Sequence, residues 1–120
     1  MKWTVLFFLL FSISCTQNDP NFDYLRKLMI KNQLQSRGIK DDAVLKVMRS
    51  VERHNFVPEN YRERAYSDGP LPIGHGQTIS QPYIVAFMTE QLQVSSQHKT
   101  LEIGTGSGYQ AAILGELAKH

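Results

Sequence analysis

The feature that most constrains the fold is a glycine turn, Gly104-Thr105-Gly106-Ser107-Gly108, in which glycines alternate with small polar residues. A short strand-like run, residues 99–103, precedes this turn, and helical composition resumes at Tyr109. Strand, glycine turn and helix in this order form the opening unit of a doubly wound α/β sheet. The sequence therefore predicts an α/β fold, while tight packing alone is the alternative explanation of such a turn.

Two kinds of cofactor use a glycine turn, because bare backbone lets a ligand approach closely and the following helix offers free amides. A dinucleotide fingerprint needs glycine at its sixth position, and Tyr109 occupies that position here. The acidic residue, single spacer and three alternating glycines instead resemble the first motif of class I methyltransferases. This resemblance implies a Rossmann-like sheet and S-adenosylmethionine as the cofactor. The positions that it implies for cofactor contact are Glu102, Gly104, Thr105, Gly106, Ser107 and Gly108.

Three helices are predicted upstream of the turn. The first begins at Asp19-Pro20 and ends at Gly38, the second opens at Asp41 or Asp42, and the third starts near Gln81. We expect the apolar stripes of the first two helices to be core contacts. The apolar stripes of the three helices are, in chain order, Leu25, Leu28, Met29 and Leu34; Val44, Leu45, Met48 and Val51; and Ile84, Val85, Met88 and Leu92.

Residues 52–81 lose helical periodicity and collect prolines and glycines, which predicts a long ordered loop. Loops of this length in compact domains are often functional. A domain linker is the alternative. We favour an ordered loop because a solvated tether would not need the apolar anchors Tyr66, Leu71, Ile73 and Ile79.

Residues 65–68 (AYSD) and 71–83 (LPIGHGQTISQPY) are very similar to the signature region of the protein-L-isoaspartate O-methyltransferases. The segments before and after them follow the same family's N-terminal helices and cofactor motif, so the resemblance covers about residue 25 to the end. Glu52 departs from the family pattern, which often has proline there, and Gly69 is also unusual. Neither position is expected to take part in chemistry.

The resemblance implies methyl transfer from S-adenosylmethionine to the free carboxylate of an isoaspartyl residue in a damaged protein or peptide. It places Ser80 beside the substrate carboxylate as the catalytic candidate, and residues 77–80 (Gln77, Thr78, Ile79, Ser80) around the cofactor. It also implies that Tyr66, Asp68 and Thr78 contact the substrate. Each has a structural alternative: Ser80 as a helix N-cap, Thr78 as a turn residue, Glu102 as a surface strand residue, and Tyr66 and Asp68 as loop-fixing residues. We interpret His54 and His75 as hydrogen-bond partners within the loop.

The N-terminus resembles an export signal. Lys2 precedes an apolar run at residues 3–13 that is too short to span a bilayer, and Cys15 follows it as in a bacterial lipoprotein signal. We expect residues 1–15 to be a signal peptide, 16–24 a short tether, and 25–120 the N-terminal part of the methyltransferase domain. We interpret this segment as a lipoprotein signal, in which Cys15 is lipidated and attaches the chain to a membrane. An ordinary cleaved signal, a buried N-terminal helix, or the cytoplasmic location usual for the family are the alternatives.

Composition limits the remaining classes. Thirteen basic residues nearly balance eleven acidic ones, and they are scattered, so no nucleic-acid-binding face is indicated. One cysteine and four histidines without ligand spacing predict no structural metal. We expect a monomer that acts on isoaspartyl proteins or peptides.

The first strand lies close to the end of the sequence, so we expect the other strands and the ribose-binding acidic residue beyond His120. We therefore predict a sheet truncated after its first strand beside an N-terminal helical subdomain, with weak or no methyl transfer by 120 residues alone. The alternatives are an exported lipoprotein with a non-catalytic methyltransferase-like remnant and a methyltransferase with another substrate.

Overall fold

The structure, a computed structural model, describes residues 21–118. The export segment 1–15, Cys15 and the helix start at Asp19-Pro20 lie outside these residues. The described elements are α1 (Phe22–Met29), α2 (Asp42–Ser50), β1 (Leu71–Gly74), β2 (Gln77–Ile79), α3 (Pro82–Leu92) and α4 (Tyr109–Leu117). None of the described helices has the length and apolarity needed to cross a bilayer.

Helix α1 begins where Asn21 caps it, since the Asn21 side chain accepts a hydrogen bond from the Tyr24 amide at 3.0 Å. The capping residue is Asn21 and not the predicted Asp19. Residues 22–24 are helical, in agreement with the predicted first helix and not with the tether assigned to 16–24. The helix continues as a π-helical turn (Ile30–Leu34) and a 3₁₀ turn (Gln35–Arg37). Gly38 ends it in the left-handed conformation with φ of 95°, as predicted.

Helix α2 opens as predicted, because the Asp41 carboxylate accepts hydrogen bonds from two backbone amides of the first turn. The Glu90 carboxylate of α3 accepts from the amides of Lys40 and Asp41, both at 2.7 Å, which joins the start of α2 to the end of α3. The buried face of α2 consists of Val44, Leu45, Val47 and Met48. These residues form much of the core.

The segment predicted as an irregular loop, 52–81, contains regular structure. Two 3₁₀ helices, Arg53–Phe56 and Glu59–Arg64, are followed by an antiparallel hairpin of β1 and β2. Leu71 pairs with Ile79, and both side chains are buried. The prolines and glycines, from which the sequence analysis predicted a loop, form a bulge between Pro72 and Gly74 and a tight turn. The apolar anchors therefore hold a hairpin, and a linker is excluded for this segment.

Helix α3 buries a different face from the predicted stripe. Of the four stripe residues only Val85 is buried, and Ile84, Met88 and Leu92 are 39%, 44% and 59% exposed. The helix is apolar on more than one side, so periodicity alone could not select its packed face. Its inward side is formed by Pro82, Val85, Ala86 and Thr89.

The predicted strand at residues 99–103 is absent from the described structure. This segment has no ladder partner among residues 21–118, where the hairpin is the only sheet. Leu101 and Ile103 are 86% and 90% exposed, and Glu102 between them is partly buried. The alternation of a strand is present, but a strand exists only through hydrogen bonds to a neighbour. The described residues thus form a small α/β unit.

Candidate active site

The glycine turn bends the chain into the start of α4. Gly104, Gly106 and Gly108 have φ of 82°, 56° and 83°, in the left-handed region that residues with a Cβ rarely adopt. Gly108 is the N-cap residue of α4, and its amide donates to the Thr105 carbonyl at 2.9 Å. No acidic side chain lies in the first turn of α4. The Tyr109 amide donates to Ser107 Oγ at 3.4 Å, and the positive end of the helix would favour an anionic group of a ligand.

The hairpin tip lies against this turn. His75 and Gly76 both have positive φ, 52° and 69°, which a two-residue hairpin turn with the favoured twist requires. A Cβ atom added at Gly106 would lie 3.5 Å from the Cδ1 atom of Ile73. The chain segments that carry the two sequence motifs are therefore in close contact.

A pocket of about 290 Å³ lies between the hairpin, α3 and the glycine turn. It brings together most of the residues that the sequence analysis assigned to the cofactor. Of the assigned residues, Gly108 alone does not line it. The lining residues are Gln77, Thr78, Ile79, Ser80, Val85, Met88, Glu102, Ile103, Gly104, Thr105, Gly106, Ser107, Tyr109 and Gln110.

Two buried oxygens on the pocket wall have no hydrogen-bond partner among the described residues, Glu102 Oε2 and Gln110 Oε1. The Gln110 amide is oriented by a chain of donors. Its Nε2 donates to the Thr89 hydroxyl at 2.8 Å, and that hydroxyl donates to the Val85 carbonyl at 2.7 Å. Because a buried acceptor without a donor is costly, both oxygens are suited to a ligand that donates hydrogen bonds.

Ser80 lies at the end of the hairpin and lines the pocket with an exposed side chain. The structure contradicts its alternative role as the N-cap of α3, because Gln81 is the cap residue. The backbone carbonyl of Ser80 accepts a hydrogen bond from Arg53 Nη2 at 2.7 Å. The hydroxyl-bearing residue is thus held through its main chain.

Tyr66 and Asp68 do not line this pocket, and both have partners that fix the loop. The Tyr66 hydroxyl lies 2.9 Å from His54 Nδ1, and burial raises the pKa of Tyr66. Asp68 accepts two hydrogen bonds from Arg37 and one from Gln81 at 2.6 Å. The hydrogen bonds from Arg37, and to a smaller extent the one from Gln81, lower the pKa of Asp68. Contact of Tyr66 and Asp68 with the substrate stays a prediction.

The two loop histidines differ. His54 stacks on Phe22 with ring centroids 4.1 Å apart, and its pKa is lowered because burial disfavours the imidazolium. His54 is thus a hydrogen-bond partner within the loop, as interpreted from the sequence. His75 lies exposed at the hairpin turn. Within residues 21–118, no three His, Cys, Asp or Glu side chains come together as a metal ion would need.

Sequence reasoning missed three residues of this region, Arg53, Tyr109 and Gln110. The sequence analysis used Tyr109 as the residue that breaks a dinucleotide fingerprint and as the start of a helix, but gave it no role in the site, yet it is 1% exposed on the pocket wall. Burial raises its pKa to about 12, so the hydroxyl stays protonated at neutral pH. Gln110 lies in the first turn of α4, directly after the glycine turn, a position that could have indicated a place beside the cofactor.

The chain is similar to known proteins over most of its length. The family model for protein-L-isoaspartate(D-aspartate) O-methyltransferase matches residues 25–120. A protein-L-isoaspartate O-methyltransferase of Synechococcus sp. (strain JA-2-3B'a(2-13)) is 61% identical over 102 residues, which cover 85% of this chain and 41% of the relative.

Two further relatives extend the comparison. One from Opitutus terrae is 62% identical over 92 residues, which cover 77% of this chain and 40% of that protein. Protein-L-isoaspartate O-methyltransferase 2 of Shewanella sediminis is 52% identical over 118 residues, covering 97% of this chain and 48% of that protein. The chain thus spans less than half the length of these relatives.

Proposed function

We propose, from the premise that the chain belongs to the protein-L-isoaspartate(D-aspartate) O-methyltransferase family, that it forms the donor side of an isoaspartyl methyl-transfer site. The substrate would be the free carboxylate of an L-isoaspartyl residue, and the methyl donor S-adenosylmethionine. One observation carries the proposal: the pocket between the hairpin and the glycine turn brings together Ser80, Glu102 and two of the turn glycines, Gly104 and Gly106.

The residues present fit this cofactor. The glycine turn leaves bare backbone on the pocket wall, and the amides at the start of α4 suit a carboxylate. Glu102 Oε2 and Gln110 Oε1 can accept hydrogen bonds from an ammonium or hydroxyl group. When bound, S-adenosylmethionine supplies a methyl group on a positively charged sulfur. We propose that the turn belongs to a Rossmann-like doubly wound sheet, as the family resemblance implies.

Methyl transfer to a carboxylate needs little acid–base chemistry from the protein. A carboxyl group with an unperturbed pKa of about 4 is ionised at neutral pH and is already a nucleophile. The task of the chain is to align the carboxylate oxygen with the methyl carbon and the departing sulfur. The Ser80 hydroxyl, exposed on the pocket wall, can donate a hydrogen bond to that carboxylate. Ser80 is therefore our catalytic candidate.

Activity is tested in a chimera, because the chain spans 41% of the Synechococcus relative. Residues 25–118 replace the matching part of that relative, and methyl transfer from labelled cofactor is measured to an isoaspartyl peptide and to the same peptide with normal aspartate. We expect transfer to the isoaspartyl peptide alone, and a loss of about tenfold or more in kcat for Ser80→Ala. Transfer to both peptides, or to neither, would contradict the proposal.

Location is a separate proposal. The apolar run before Cys15 supports export and attachment of the chain to a membrane through a lipidated cysteine. Cell fractionation of the natural chain and of Cys15→Ala tests it. Recovery of both in the cytoplasmic fraction would refute export.

A further inference from the structure

Arg53 is a fully buried cation beside the pocket. Its residue exposure is 0%, and Arg53 and Thr89 are the buried polar residues of the described core. No described carboxylate lies within ion-pair distance of Arg53. Burying a guanidinium without a counter-ion is unfavourable, so its retention here calls for a specific set of contacts.

Those contacts reach three separate segments. Nε donates to the Ala65 carbonyl and Nη2 to the Ser80 carbonyl, both at 2.7 Å. The guanidinium carbon lies 4.9 Å from the centroid of the Tyr109 ring, within the range of a cation–π contact. One side chain therefore joins the end of the hairpin to the first residue of α4.

Arg53 itself does not line the pocket, but Ser80 and Tyr109 do. We propose, resting on the function proposed above, that Arg53 is a positioning residue that sets the Ser80 segment relative to the start of α4. Its effect on substrate and cofactor is exerted through these two residues.

The chemistry of the side chain explains why arginine occupies this position. The planar guanidinium directs separate N–H groups at two carbonyls and also presents a face to an aromatic ring. A lysine ammonium keeps the charge but cannot reproduce the rigid fork over the ring. Arg53→Lys therefore separates the role of geometry from that of charge.

The first test needs no ligand. Amide hydrogen exchange is measured by mass spectrometry on the natural 120-residue chain, on Arg53→Lys, and on Val44→Ala as a control that removes core packing elsewhere. Val44 is a buried α2 residue outside the pocket. We expect Arg53→Lys to accelerate exchange together at residues 78–80 and at residues 112–114, where the helical hydrogen bonds of α4 begin, by about tenfold. The same pattern in Val44→Ala, or wild-type exchange in Arg53→Lys, would overturn the inference.

The second test measures binding of S-adenosylhomocysteine by calorimetry at a temperature where each variant is folded. We expect about tenfold weaker binding by Arg53→Lys and unchanged binding by Val44→Ala. Failure of the natural chain to bind counts against the proposed cofactor site and leaves the exchange result to decide the role of Arg53. Equal affinity of the natural chain and Arg53→Lys would overturn the inference.

If Arg53→Lys does not fold, the natural chain provides the answer. The Arg53 Nε–H proton, held by the Ala65 carbonyl, should give a slowly exchanging NMR signal. A rapidly exchanging Nε–H would show that the guanidinium is not held and would overturn the inference.

Discussion

Replacing Gly106 with alanine tests whether the glycine turn is held by backbone geometry. Gly106 has φ of 56°, where a side chain costs about 1–2 kcal/mol. The added Cβ would meet Ile73 Cδ1 at 3.5 Å and the Gly104 carbonyl at 3.8 Å, which are ordinary contacts. The expected destabilisation of about 1–2 kcal/mol is therefore conformational, without a contribution from overlap.

Gly115 provides a matched control in the same region of the chain. It lies in α4 with ordinary φ, and a Cβ there meets nothing within 4 Å. Alanine at this helical position should stabilise the chain by about 0.5–1 kcal/mol, because glycine loses more backbone entropy. The two glycine-to-alanine changes should thus have opposite signs.

Urea unfolding followed by far-UV circular dichroism measures both changes. With a denaturant slope of about 1–3 kcal/mol per molar, Gly106→Ala should lower the midpoint by about 0.3–2 M. Gly115→Ala should raise it. A Gly106→Ala chain as stable as the natural one, or two shifts of the same sign, would refute the assignment of strain to this turn.

Three further results are expected. Tyr66→Phe should lower the free energy of unfolding by about 1 kcal/mol, measured in urea, because His54 Nδ1 loses its partner; an unchanged value would count against this bond. The folded pKa of His54 is lowered, so the unfolded chain binds more protons below about pH 6.5, and stability should fall with acidification there; His54→Gln should flatten this slope in unfolding curves taken across pH 5 to 7. The folded pKa of Asp68 is also lowered, so the stability that its bonds contribute is present above about pH 4 and is lost as pH falls through the folded value. Asp68→Asn should therefore match the natural chain at low pH and be less stable at neutral pH, and equal stability at both would contradict the role given to Arg37.

Local signals in the sequence predicted much of the framework. Asp41 and Gly38 were predictable because caps and left-handed helix ends depend on the chemistry of one residue. The glycine turn and the residues around Ser80 were predictable as parts of one site only through the family resemblance. Their contact in space depends on the hairpin, whose strands are too short for periodicity to detect.

The remaining features depend on tertiary contacts that a sequence pattern does not contain. Helix α3 is apolar on several sides, so its packed face is determined by contacts with α2 and with the π-helical turn Ile30–Leu34. Residues 99–103 alternate as a strand does, yet pairing depends on a neighbour. The burial of Arg53 was not predicted, because nothing in the neighbouring sequence indicates that a cation there is buried.

The shortness of the hairpin has a consequence for heat inactivation. A two-stranded ribbon is only marginally stable alone, so β1 and β2 depend on Leu71 and Ile79 being anchored among the helices. Segments with few anchors open at lower free energy than the rest of a molecule. On warming, binding of the proposed cofactor should consequently be lost at a lower temperature than the helical circular dichroism signal. The melting curves measured by binding and by circular dichroism should therefore differ.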